Sequence, residues 1–284
     1  MKKILILGMG SMIGHQLYNF LSNKKVKVYG TSRDNRVILK NKNIYKYDPL
    51  KNFSDIERIF KRVKPDYLIN TIGVIKHRKQ INNFKNTIYL NSILPHKLAK
   101  ISIINKIKLI HLSTDCVFSG DKGNYSESDI PDASDLYGIS KKLGEINYKD
   151  SLTLRTSFIG FEKKNNTGLF DWIINSKEKK IFGFTRAYYN GFTTLELSKI
   201  IFEVIKLNLP ISGLYNLSSS KINKYRLLKI INKAFNLNKN IVKNTNFSCN
   251  RTLNSKLFFK KIKYKVPNWH KMISEMKLLK KNDI

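Results

Sequence analysis

Short apolar runs alternate with stretches of helical spacing through the first half of the chain. Ile4 to Leu7 reads as a strand and Ile13 to Leu21 as a helix, followed by strands at Val26 to Tyr29 and Ile44 to Tyr47. Ile56 to Val63 has helical spacing, and Pro65-Asp66 punctuates the approach to a strand at Tyr67 to Asn70. A long helix is expected over about Thr87 to Ile101, with a bend near Pro95, which lacks an N–H to donate. Ile107 to Leu112 is apolar nearly throughout, as a central strand buried on both faces should be. A helix over Asp135 to Asn147 and a strand at Leu152 to Arg155 complete this part. Past Phe158 the rhythm becomes irregular. Thr193 and Glu196 have the spacing of a capping box before a helix at Leu195 to Ile205, Asn223 caps a second helix reaching Phe235, and Trp269 to Leu279 forms a last one.

The chain opens strand, glycine turn, helix, with Gly8, Gly10 and Gly14 in the turn. A helix N-terminus offers unpaired N–H groups and the positive end of a dipole, where a pyrophosphate sits. Glycine serves where φ is positive or where backbone must come close to phosphate. Of the spacing Gly-x-x-Gly-x-x-Gly, Gly8 and Gly14 are present and Ser11 holds the middle place. Ser11 is either a phosphate ligand or a sign of weaker cofactor affinity. The fold class expected is α/β: a Rossmann-type doubly wound parallel sheet with a smaller, less regular C-terminal substrate domain. Residues 1–158 are expected to bind the dinucleotide, with a segment near 190–208 packing back on them, and 159–284 to bind substrate. The turn itself assigns Gly8, Gly10, Ser11, Met12, Ile13 and Gly14 to the cofactor.

Residues after the second strand choose between cofactors, an acid for the ribose hydroxyl of NAD or an Arg for the 2′-phosphate of NADP. Tyr29-Gly-Thr-Ser-Arg33 has no acid at the strand end, and Asp34 lies one step into the loop. Arg33 therefore points to NADP, its guanidinium matching phosphate in bidentate fashion.

Composition changes the picture in one respect. Lys+Arg 53 against Asp+Glu 20 give a net charge of +33, which would ordinarily suggest nucleic acid. The cations are mostly Lys and spread along the whole chain, so nucleic acid is not the expected partner, although the field attracts phosphorylated ligands. Two cysteines make no disulfide framework, which suits a cytoplasmic location. No segment offers the roughly 20 apolar residues of a membrane helix. His15, His77, His96, His111 and His270 are scattered, and no metal site is expected.

Tyr137 and Lys141 are one helical turn apart. A ketone that receives hydride needs a proton, and a neighbouring ammonium lowers a phenol from its ordinary value of about 10 towards the working range. Upstream, at the end of the central strand, runs Ser113-Thr-Asp-Cys-Val-Phe-Ser-Gly120. Functional groups gather at the carboxyl ends of parallel strands, where the Thr114 hydroxyl would polarise the same carbonyl.

Three runs together carry a resemblance: Ser113 to Gly120, Tyr125-Ser-Glu127, and Asp135-Leu-Tyr-Gly-Ile-Ser-Lys-Lys-Leu-Gly-Glu145. They resemble the dTDP-4-dehydrorhamnose reductase family of extended short-chain dehydrogenases. Looser matches follow at Asn70-Thr-Ile-Gly73, at Asn91, at Leu154-Arg-Thr-Ser157 and from Gly213 to Ser218. The resemblance implies a triad of Thr114, Tyr137 and Lys141, with Lys141 also gripping the nicotinamide ribose. It implies Asp48 near the adenine and Ile72-Gly73 beside the middle of the cofactor. Substrate contacts are expected from Lys76 and His77, from Asp115, and from Asn190 and Arg251, the last as a phosphate clamp. The activity implied is NADPH-dependent reduction of a 4-keto nucleotide-linked sugar to a deoxyhexose for a surface polysaccharide, by a chain able to pair as a homodimer. Related 4,6-dehydratases carry Thr-Asp-Glu where this chain has Thr114-Asp115-Cys116, which disfavours dehydration. Epimerase-reductases place a cysteine where Cys116 stands, with His77 as its candidate partner, so an epimerase stays open beside the reductase. A non-catalytic regulatory subunit is the third reading, and the intact triad argues against it.

Overall fold

The computed structural model describes every residue except 40, 77, 78, 149, 163–167, 209, 283 and 284. The first half runs β1 (Lys3–Leu7), α1 (Met12–Ser22), β2 (Lys27–Ser32), α2 (Asn35–Leu39), β3 (Ile44–Lys46), α3 (Asp55–Val63), β4 (Tyr67–Asn70), α4 (Phe84–Ile88), α5 (Leu94–Ile104), β5 (Lys108–Thr114), α6 (Leu136–Leu143) and β6 (Ser151–Thr156). The second half runs β7 (Phe158–Ile159), α7 (Leu169–Asn175), β8 (Lys180–Tyr189), β9 (Phe192–Thr193), α8 (Thr194–Leu207), β10 (Gly213–Asn216), β11 (Ile222–Asn223), α9 (Lys224–Phe235), β12 (Asn240–Asn250), α10 (Lys256–Lys261) and α11 (Trp269–Asn282).

Seven strands form one sheet in the order β10-β6-β5-β4-β1-β2-β3, with every pairing parallel. Their side chains alternate between two cores, as a period of two requires. Ile4 and Ile6 of β1 join the cluster under α1 and α8, while Leu5 and Leu7 join the cluster under α3 and α5. This is the doubly wound α/β architecture expected from the alternation of elements. The cluster that holds Ile4 continues through Ile181, Leu227, Ile231, Trp269 and Met272, so the second half shares one apolar core with the first.

The second half contains more strand than its sequence suggests. β8 pairs with β12 in parallel and with β11 antiparallel, forming a three-stranded sheet. β10 returns to the edge of the large sheet beside β6, and α8 packs on α1. The packing therefore does not divide at residue 158: both 194–207 and 213–216 belong to the large sheet and its cover.

The long helix expected over Thr87 to Ile101 is broken in the middle. Tyr89–Ile93 forms a π turn between α4 and α5, with the Leu94 N–H reaching the carbonyl of Tyr89. Pro95 has no N–H for the carbonyl of Asn91, four residues back. That carbonyl is where α6 ends: a Cβ added at Gly144 would lie 1.8 Å from it. Position 144 therefore takes no side chain, and α6 stops at Leu143, short of the expected Asn147.

Candidate functional site

The glycine turn owes its shape to two contacts a side chain would forbid. Gly8 has φ +90, and a Cβ at Gly14 would lie 2.4 Å from the Gly8 carbonyl. Ser11 needs no such freedom, with φ −82 and ψ 155. Its hydroxyl accepts the Gly14 N–H at 2.9 Å and shares a 2.9 Å hydrogen bond with Thr71. Ser11 is thus the N-cap of α1, and its hydroxyl is already engaged within the turn. The N–H groups of Met12 and Ile13, in the first turn of the helix, have no intrahelical acceptor. Ile13 could serve a ligand only with its backbone, since its side chain is buried in the core. Thr71, inside a run read only as a loose family match, also donates to the Leu7 carbonyl at 2.6 Å and so ties β4 to the turn.

A cavity of about 540 Å³ opens along the carboxyl ends of β1, β2 and β4. Gly8, Gly10, Ser11, Arg33, Asp48, Ile72 and Gly73 line it, together with Tyr47, Asn83 and Asn86, which the sequence did not single out. Nothing lies within 4 Å of a Cβ added at Gly10, so the backbone there is open to a ligand. Arg33 is exposed at the wall and makes no ion pair with another described residue. Asp34 differs: Arg36 grips its carboxylate through Nε at 3.2 Å and Nη2 at 3.0 Å. The acid that would favour a ribose hydroxyl is held by one arginine, and the neighbouring arginine faces the cavity. At Asp48, Oδ1 accepts the Leu50 N–H at 3.2 Å. With α1's free N–H groups, an open glycine and a cation near the second strand, these residues fit a dinucleotide with a 2′-phosphate.

Three strands along, the catalytic candidates meet at the end of β5. The Thr114 hydroxyl accepts the Cys116 N–H and donates to Asp115, both at 3.1 Å. Thr114 is also the neighbour that favours the ionised form of the Tyr137 phenol. Asp135 caps α6 by accepting the Gly138 N–H at 2.9 Å, which sets where Tyr137 projects. Lys141 is 5% exposed, and its Nζ donates to the Leu112 carbonyl at 2.7 Å. Burial lowers this lysine to about 8, with Glu145 opposing the fall.

One expectation is corrected here. Lys141 was to lower the Tyr137 phenol, yet the phenol is pushed up, first by burial and then by Cys116, Asp115 and Asp135, with only Thr114 acting downward. The ammonium is aimed at the backbone of β5 instead.

A buried polar layer under α6 holds the helix in place. Asn91, in the π turn, accepts the Val74 N–H at 2.8 Å and donates to the Val74 carbonyl and the Ser140 hydroxyl, both at 3.1 Å. It thereby joins the loop after β4 to the turn of α6 that carries Lys141. A π turn is a frequent mark of a functional site, and the Pro95 signal pointed near it without specifying it.

The substrate candidates are placed unequally. Lys76 pairs with Asp135 at 2.8 Å, and its charge reaches Cys116. Arg251 donates from Nε to the Phe118 carbonyl at 2.8 Å and from Nη1 to the Cys116 sulfur at 3.8 Å. Asp115 is pushed up by burial and held back mainly by Arg251. Asp115, Cys116 and Asp135 thus stand beside Tyr137, with Lys76 and Arg251 attached to them. Asn190 does not join them as a donor: its amide accepts the Leu253 N–H at 3.0 Å and donates to the Leu253 carbonyl at 2.8 Å. Both ends are used, so it anchors the segment after β12 that carries Arg251. Burial pushes the Cys116 thiol up to about 12, so it keeps its proton. His77, the partner considered for it, lies outside the described residues. Among the described residues no group of three or more His, Cys, Asp or Glu could hold a metal, and no helix is long and apolar enough to cross a membrane.

Similarity to known proteins follows the same lines. The spore coat polysaccharide biosynthesis protein SpsK of Bacillus subtilis (strain 168) is 28% identical over 174 residues, which is 56% of this chain and 54% of that protein. The match thus spans about half the length of that relative. Among solved structures, a dTDP-4-dehydrorhamnose reductase from Bacillus anthracis in complex with NADP superposes with a TM-score of 0.82 at 19% identity, over 98% of this chain and 99% of that one. A hypothetical dTDP-4-dehydrorhamnose reductase from Sulfolobus tokodaii gives a TM-score of 0.77 at 24% identity, over 95% and 98%. These structures share the fold. The sequence profile described as the RmlD substrate binding domain matches residues 1–279, and the chain belongs to that family.

Proposed function

We propose that the protein is an NADPH-dependent reductase of a 4-keto nucleotide-linked sugar, working in the cytoplasm and supplying a deoxysugar to a surface polysaccharide. The observation that carries this reading is the meeting of Thr114, Tyr137 and the buried Lys141 at the end of β5, in the same row of strand ends as the cavity with Arg33 on its wall. The names of the relatives agree with it: a polysaccharide biosynthesis protein and reductases of a dTDP-linked keto sugar, one of them with NADP.

When bound, the reduced nicotinamide supplies a hydride to the keto carbon. Tyr137 donates the proton to the carbonyl oxygen, and its raised phenol keeps that proton at neutral pH, as a general acid must. Thr114 exchanges its bond to Asp115 for one to the same oxygen. Lys141 spends one of its three protons on Leu112 and keeps two for ribose hydroxyls. Lys76 and Arg251 are the cations for the substrate's phosphates. The protonated Cys116 thiol favours the reductase over an epimerase that would use it as a base.

The test is NADPH oxidation against a panel of 4-keto nucleotide-linked sugars, with product identified by mass. A two-hydrogen gain with one of them is expected. No oxidation with any member of the panel, by protein that binds NADPH, overturns the reading.

A further inference from the structure

A buried ion pair beneath the catalytic helix has no part in the chemistry above. Glu145 accepts from Arg155 at both ends of the guanidinium fork, Nε at 2.8 Å and Nη2 at 2.7 Å, and the two side chains are 7% and 5% exposed. The Ser113 hydroxyl donates to the same carboxylate at 2.7 Å. Lys141 stands four residues before Glu145, and its Nζ is bound to the carbonyl of Leu112, the residue next to Ser113. Two consecutive residues of β5 thus receive the ammonium and steady the carboxylate. For stability alone such a pair has little to offer over apolar side chains. Its placement beside a buried ammonium gives it another use.

We propose that Glu145, fixed by Arg155 and Ser113, is a positioning residue that keeps Lys141 charged against the desolvation of its site. The other groups facing Lys141 do not supply a negative charge. His111, on β5, is held neutral by burial, its Nδ1 taking the Asn70 amide at 3.1 Å; Tyr137, on α6, keeps its proton; and Arg155, on β6, is a cation bound to Glu145. That Lys141 meets the cofactor rests on the function proposed above; that Glu145 holds its charge does not.

The charge is read directly by NMR of the full chain labelled at lysine Cε, following the resonance that Lys141→Met removes. Its midpoint in the parent is expected at about 8. Glu145→Gln lowers it by about one pH unit, a tenfold loss of proton affinity, and Glu145→Asp recovers part of the difference. Because Glu145→Gln leaves Arg155 buried without a counter-charge, its fold is checked by circular dichroism, and Glu145→Asp, which keeps the charge, serves as the second variant. NADPH affinity at pH 7.5 should weaken roughly threefold in Glu145→Gln, in step with the protonated fraction. An unchanged midpoint in folded Glu145→Gln, or a midpoint in Glu145→Asp no higher than that of Glu145→Gln, overturns the proposal. A midpoint that moves in a protein that fails to bind NADPH upholds it and rejects the proposed function instead.

Discussion

The cofactor groove and the layer under α6 are built from different materials. The groove is made of backbone: a glycine at φ +90, a helix start with free N–H groups, and a Ser11 hydroxyl that serves the helix before any ligand. The layer under α6 is made of side chains: Asn91, Ser140, Lys141, Glu145 and Arg155, nearly all buried and each bound to another element. A groove of backbone tolerates most side-chain changes along its wall. A buried polar layer does not, because each lost partner strands another buried polar group.

The sharpest way to break that contrast is Tyr137→Phe. It removes one oxygen and leaves the groove intact, so turnover should fall about 10²–10⁴-fold while NADPH affinity, by fluorescence titration, holds. Equal losses in both would mean that the two regions act as one. On the function proposed above, Arg33 is the groove's exception, a wall residue that acts through its side chain. Arg33→Ala should weaken NADPH about 10- to 100-fold, the range of a charged hydrogen bond, with NADH binding little changed. Parent protein that binds both cofactors equally would remove the basis for NADP.

A third effect comes from pH. Lys141 is lowered to about 8 from an ordinary 10.5. Above about pH 8 the native ammonium loses its proton, and NADPH affinity should drop about tenfold by pH 9. Stability moves the other way. Between about 8 and 10.5 the unfolded chain binds a proton that the native chain does not, so this group makes folding more favourable as pH rises through that window. Lys141→Met should abolish both trends, and affinity that is flat to pH 10 in the parent would refute the assignment. The smallest effect belongs to Cys116→Ser. Turnover should change by about twofold or less, since the thiol keeps its proton and only small polar volume is altered. A large loss, accompanied by loss of solvent deuterium exchange next to the ketone, would move the protein to the epimerases.

The backbone-made region was the more legible. Gly8, Gly14 and Arg33 each stand where their local spacing puts them, because a turn is a property of neighbouring residues. Tyr137, Lys141 and Thr114 were legible as a motif, but the aim of Lys141 was not. Its partner is a carbonyl 29 residues away, and the Glu145–Arg155 pair likewise joins a helix end to another strand. Asn190 shows the same limit: its two bonds to Leu253, 63 residues on, are set by the fold and not by its neighbours in sequence. In the second half, β8 alternates Ile181, Gly183 and Ala187 inward with Phe182, Phe184 and Tyr188 outward. Aromatic side chains on the outward face hide the period of two that would have announced a strand. The four-residue β10 carries too short a pattern to be recognised, and its place is set by pairing with β6.

The return of α8 and β10 to the large sheet also decides how this protein can be cut and joined. The polypeptide leaves the large sheet after Thr156, comes back to cover it with Thr194–Leu207 and to extend it with Gly213–Asn216, and leaves again before Ile222. A fragment ending at 158 would lack its edge strand, and it would lay bare the surface that Leu197, Ile201, Val204 and Ile205 now cover. Chimeras that exchange the substrate half between relatives therefore need several junctions, not one. Several covalent crossings thus tether the two halves side by side, where a single linker would have left each free to turn.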